Sequence, residues 1–157
     1  MRLVKAVPTA IVATLLTAGA AGGATPIAST ESNVAGVTID LMTLERKGNV
    51  LSVKWAVRNA GDKSTDVAFQ LRGDKVTTYL VDEENGIKYF VLTDKEGAAL
   101  ASENDYTSSS HGISEPVDAG ETKRFWAKFP APPAEVKAIT VMFTEAEPLE
   151  GVAITDK

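Results

Sequence analysis

The stretch Asn49 to Asn59, reading N-V-L-S-V-K-W-A-V-R-N, carries the clearest structural signal in the chain. Leu51, Val53, Trp55 and Val57 fall on one side of an alternating pattern, and Ser52, Lys54, Ala56 and Arg58 fall on the other. A period of two is what a half-buried β-strand requires, because successive side chains point to opposite faces of a sheet. Trp55 brings the largest apolar surface to its face, so it is expected at the centre of a core. Asn59, Ala60, Gly61 and Asp62 follow, residues that tolerate positive φ and mark a turn.

The same alternation recurs on both sides of this strand. From Gly36, Val37, Ile39 and Leu41 point one way and Thr38 and Asp40 the other, giving an earlier strand. Val67 to Arg72 reads as a short strand. Lys75 to Asp82 and Ile87 to Thr93 read as a hairpin around Glu83-Glu84-Asn85-Gly86, Asn-Gly being the strongest short-range hairpin signal. Asp94 to Gly97 is a second tight turn leading into Ala98 to Ser102, and the polar segment Glu103 to Pro116 reads as a long loop. Thr122 to Phe129 places Phe125, Ala127 and Phe129 on one face until Pro130-Ala131-Pro132-Pro133 stops it, since proline cannot donate into a ladder. Val136 to Phe143 is the last full strand, and Val152 and Ile154 supply a short edge. Seven to nine short strands without a helix predict an all-β fold, an immunoglobulin-like antiparallel β-sandwich.

Leu51 to Asp62 (L-S-V-K-W-A-V-R-N-A-G-D) resembles the second-strand-and-turn signature of bacterial secreted immunoglobulin-like β-sandwich domains of unknown function. Tyr79 to Gly97 and Phe129 to Pro133 are similar to later segments of the same group. The resemblance implies a fold and no chemistry, because these motifs are fold markers. Members that carry cysteines after the hairpin and continue into a cell-wall-binding domain differ from this chain in both respects, so no anchoring by that route is implied.

The amino-terminal residues predict a compartment. Arg2 and Lys5 precede an apolar run from Ala6 to Leu16, and small residues fill Thr17 to Ala24, the three regions of a secretory signal peptide. The run falls short of the roughly 20 apolar residues a spanning helix needs, so it reads as an export signal and no membrane insertion is expected after cleavage. Cleavage after Ala20 or Ala24 fits the small residues there. Residues 1–24 are thus read as signal peptide, 25–35 as a disordered leader rich in Ser, Thr and Ala, and 36–157 as one domain. Formal net charge is −5, and loss of Arg2 and Lys5 makes it about −7, which argues against nucleic acid as a partner. With no cysteine in the chain, stability must come from packing. The expected localisation is secreted or in the cell envelope.

Chemical motifs are mostly absent. His111 is the single histidine, beside Ser108-Ser109-Ser110 with Asp105 and Asp118 nearby in sequence. A hydrolase triad built on it would need a nucleophile elbow, which does not precede these serines, so a solvated loop histidine is the plainer reading. Asp82-Glu83-Glu84-Asn85 offers oxygen ligands but lacks the pattern of a calcium loop, and copper or zinc would need more His, Cys or Met ligands than the chain has. No cofactor and no metal are expected.

One feature goes beyond fold. The hairpin groups Tyr79, Val81, Phe90 and Leu92 on one face and Leu80, Tyr89 and Val91 on the other, so both faces are apolar. One face must pack inward, and the other is either covered within the chain or available to a partner. The reading is a monomeric, non-catalytic binding or accessory module acting on an unknown protein or envelope component through Tyr79, Val81, Phe90 and Leu92. A structural spacer of the envelope, or a hydrolase using the His111 loop, are the rivals.

Overall fold

A computed structural model describes residues 23–102 and 112–157 of the chain. The bulk of the signal-peptide segment, and His111 with its neighbouring serines, lie outside the described residues.

The architecture is all-β, and no helix occurs among the described residues. Eleven strands follow in order: β1 (Ala28–Glu31), β2 (Val37–Lys47), β3 (Val50–Asn59), β4 (Thr65–Gln70), β5 (Tyr79–Asp82), β6 (Ile87–Tyr89), β7 (Gly112–Val117), β8 (Thr122–Pro130), β9 (Ala138–Met142), β10 (Leu149–Ala153) and β11 (Thr155–Asp156). One sheet runs β1-β2-β3-β8, with β11 added to β2 in parallel. A second runs β10-β9-β5-β6, and β4 and β7 form a two-stranded ribbon. Every other strand pair is antiparallel.

The core forms where the inward faces of these sheets meet. Leu51, Val53, Trp55 and Val57 of β3 are all buried, and Trp55 is only 1% exposed. Its indole stacks on Phe125 of β8 at 5.9 Å and meets Phe69 of β4 edge-on at 5.1 Å and Phe143, just after β9, at 5.4 Å. Four aromatic rings from separate segments thus close one apolar centre, an arrangement compatible with a β-sandwich.

Strand β2 changes phase midway. Leu41 pairs with Trp55 but Thr43 pairs with Lys54, so Met42 is an extra residue in a bulge. Val37, Ile39 and Leu41 face the core before it, and Leu44 and Arg46 after it. The bulge therefore turns a charged residue inward. Arg46 donates to the carbonyls of Pro132, Pro133 and Val136 at 3.0, 2.7 and 3.2 Å, which ties the proline-rich loop after β8 to β2.

Several sequence expectations need correction. Ala28–Glu31, read as part of a disordered leader, is β1, antiparallel to β2. Its backbone is what pairs, and an edge strand with half-exposed side chains needs no apolar period. The end of the expected long loop, 112–116, belongs to β7 (Gly112–Val117), with Ile113 and Val117 buried. Polar residues between them hid the pattern, and Pro116 is tolerated because the ribbon has only two strands. Gly112 is required where it stands: a Cβ there would lie 2.0 Å from the carbonyl oxygen of Phe69. The turn after β3 forms, yet Gly61 is not among the positive-φ residues. The Asn59 side chain shapes it, accepting from Gly61 N–H at 2.9 Å and donating to the carbonyls of Lys63 and Val117.

Candidate functional site

The hairpin of β5 and β6 pairs Leu80 with Tyr89 and Asp82 with Ile87, leaving Glu83 to Gly86 as a four-residue loop. Gly86 has φ of 67°, a left-handed conformation that glycine adopts without a Cβ clash. Asp82 is buried and fixes the loop, accepting from the backbone N–H of Asn85 at 3.1 Å and from its side-chain amide at 2.7 Å. Glu83 accepts from the Thr140 hydroxyl at 2.7 Å. Three of the acidic oxygens considered for calcium are therefore engaged within the fold, and among the described residues no group of three or more His, Cys, Asp or Glu side chains is placed to hold a metal ion.

The register decides which hairpin face is inward. Leu80 is 1% exposed and Val91 is buried with it, while Tyr89 is half-buried, its hydroxyl pushed above the usual phenol range by burial and by the Asp82 charge. Tyr79, Val81 and Phe90 belong to the opposite, outer face. Tyr79 and Val81 are half-buried, and Phe90 is 47% exposed. The Tyr79 and Phe90 rings lie 5.9 Å apart at 47°, and the Lys88 ammonium sits 4.8 Å from the centre of the Tyr79 ring. That distance falls within the range of a cation–π contact.

Leu92 is not brought into this group by the hairpin ladder. The chain leaves β6 after Tyr89 and crosses to the other sheet, where Leu92 N–H donates to the carbonyl of Lys128 in β8 at 2.8 Å. Leu100 accepts from Lys128 N–H at 2.8 Å, and Asp94 holds the intervening turn by accepting from Glu96 and Ala98. The crossing segment covers the free edge of β8 and carries Phe90 at its start.

Two neighbours of the patch are absent from the sequence reading. Met142 of β9 is the direct cross-strand partner of Tyr79, so its half-buried side chain extends the apolar surface on the same face. Lys88 caps the Tyr79 ring. Their positions depend on pairings between distant strands and on side-chain reach, although the alternation that places Lys88 beside Phe90 was open to inspection. Toward the hairpin tip the surface becomes a groove of about 320 Å³ lined by Val81, Glu83, Glu84, Glu135 and Lys137. An aromatic centre with an acidic border results.

Comparison of this chain with protein families, with curated proteins and with solved structures finds no match.

Proposed function

We propose that this chain is an exported, non-catalytic binding or accessory module, built on an immunoglobulin-like β-sandwich and acting on a protein or other component of the cell envelope through the outer face of the β5–β6 hairpin. The observation that supports this reading is the Phe90 ring, 47% exposed and packed at a tilt against Tyr79. Exposed aromatic side chains held rigid by a neighbour are the anchors that interfaces favour, since little conformational freedom is lost when they are covered. The acidic border at Glu83, Glu84 and Glu135 favours a partner with basic groups around an apolar contact. The test is capture of partners from the native envelope by the wild-type protein and by Tyr79→Ala and Phe90→Ala. Both variants are expected to keep the melting temperature and lose the partner. Undiminished capture by Phe90→Ala would remove the hairpin from the interaction and favour a spacer.

A further inference from the structure

The outer face of the β3–β8 pair gathers cations, whereas the groove at the hairpin tip is bordered mainly by glutamates. Lys54 of β3 pairs directly with Trp126 of β8, and Arg124 and Lys128 stand two residues either side of Trp126 on the same strand. Because alternate residues share a face, all four side chains project together, away from the core that holds Phe125, Ala127 and Phe129. Trp126 is 41% exposed. Met42, Lys54 and Arg124 line a groove over it.

Among the described residues, the acids nearest this face are already engaged. Asp40 is buried against Arg58, and Glu45 pairs with Lys157 at 2.7 Å. Among the described residues no carboxylate pairs with Lys54, Arg124 or Lys128. The face is therefore cationic on a chain of net charge −5. The acidic groove lies on the other sheet, and charges beyond about 8 Å are largely screened at physiological salt.

We propose that this face binds an acidic glycan chain, one sugar ring stacking on Trp126 while carboxylates along the chain pair with Arg124, Lys128 and Lys54. Arg124 and Lys128 are separated by about 13 Å along the strand, with the indole between them, which suits a linear ligand carrying repeated charges. The C–H face of a sugar ring matches a flat indole. A nucleic acid would need several stacking platforms and a basic domain, whereas this face has one exposed aromatic ring on an acidic protein. A membrane surface would need a group of projecting apolar side chains, and among the described residues this face offers Trp126 and part of Met42.

The experiment uses polygalacturonate as probe, dextran as its uncharged counterpart, and acrylamide quenching of the purified protein as readout. The chain has two tryptophans and Trp55 is buried, so quenching reports Trp126. Polygalacturonate is expected to shield Trp126, dextran to leave it accessible, and added salt to reverse the shielding. Lys54→Glu combined with Arg124→Glu should weaken binding about tenfold or more at an unchanged melting temperature. Trp126→Ala should lose most of the affinity measured by calorimetry. Equal shielding by dextran, or unchanged affinity after charge reversal, would overturn the proposal. So would tighter binding of oligothymidylate or phosphatidylglycerol vesicles, or self-association that buries Trp126 without any glycan.

Discussion

The guanidinium of Arg46 holds the carboxylate of Asp156 at 2.5 Å across 110 positions of sequence. Arg46 is 6% exposed and Asp156 lies largely in solvent, so the pair joins a buried end to a surface end. Its consequence is mechanical: one side chain on β2 secures both the loop after β8 and the short strand β11.

Arg46→Ala is expected to destabilise the protein by about 2–4 kcal/mol, because it leaves a cavity and strips buried carbonyls of their donor. Chemical denaturation measures this directly. Asp156→Asn removes only the exposed partner and should have the smaller effect.

Acid should loosen the same region. Burial alone would raise the Asp40 carboxyl, but hydrogen bonds from Arg58 and Ser29 outweigh it and hold it below its ordinary 3.8. The hydrogen bond from Arg46 likewise lowers Asp156, helped by Lys137. A depressed folded-state value means the stabilisation is complete above 3.8 and disappears as pH falls through the lower folded values. Melting temperature is therefore expected to fall on acidification in that window. The decline should be shallower in a variant carrying Asp40→Asn and Asp156→Asn.

Trp55→Ala should cost about 3–5 kcal/mol, a large part of the 5–15 kcal/mol typical of a whole domain. Trp55→Phe should be much milder than its size suggests. Among the described residues the indole Nε1 has no hydrogen-bond partner, so phenylalanine removes a buried, unsatisfied donor along with the lost volume. Equal damage from both substitutions in urea unfolding would contradict this.

Gly112→Ala should destabilise by about 1–3 kcal/mol, since a methyl group there meets the Phe69 backbone and the β4–β7 ribbon must part to admit it. Gly48→Ala provides the comparison: nothing lies within 4 Å of its Cβ, and only the positive φ opposes the change. Calorimetric melting of the two variants separates crowding from backbone strain.

The strands that alternate strongly were legible in the sequence. Asn49 to Asn59 and Thr122 to Phe129 match β3 and β8 almost residue for residue, and the Glu83 to Gly86 loop closes the hairpin as its Asn-Gly pair suggests. Alternation marks burial on one side, so a short edge strand held mainly by backbone pairing escapes it, as β1 does. The Met42 bulge escapes too, because a phase change in one strand is defined only against its partner. For the hairpin, sequence grouped Tyr79, Val81 and Phe90 correctly on one face but gave no means of choosing which face lies outward. That choice is made by β9, whose Val141 pairs with Leu80 on the inner side and whose Met142 pairs with Tyr79 on the outer. The outward set Arg124, Trp126 and Lys128 follows from the inward set Phe125, Ala127 and Phe129, whereas Lys54 joins it only through the pairing of β3 with β8.

Strand β2 has one edge covered by β3 along its length and the other closed piecewise, by β1 near Thr38 to Leu41 and by β11 at Glu45 and Arg46. These covering strands have four and two residues. An open β-edge invites pairing with any other extended chain, and proteins guard such edges because aggregation begins there. Resistance to self-polymerisation in this protein therefore hangs on two short flanking segments. Proteolytic trimming of either is expected to expose a row of unpaired amides and carbonyls on β2, an edge of the kind at which fibrous assembly nucleates.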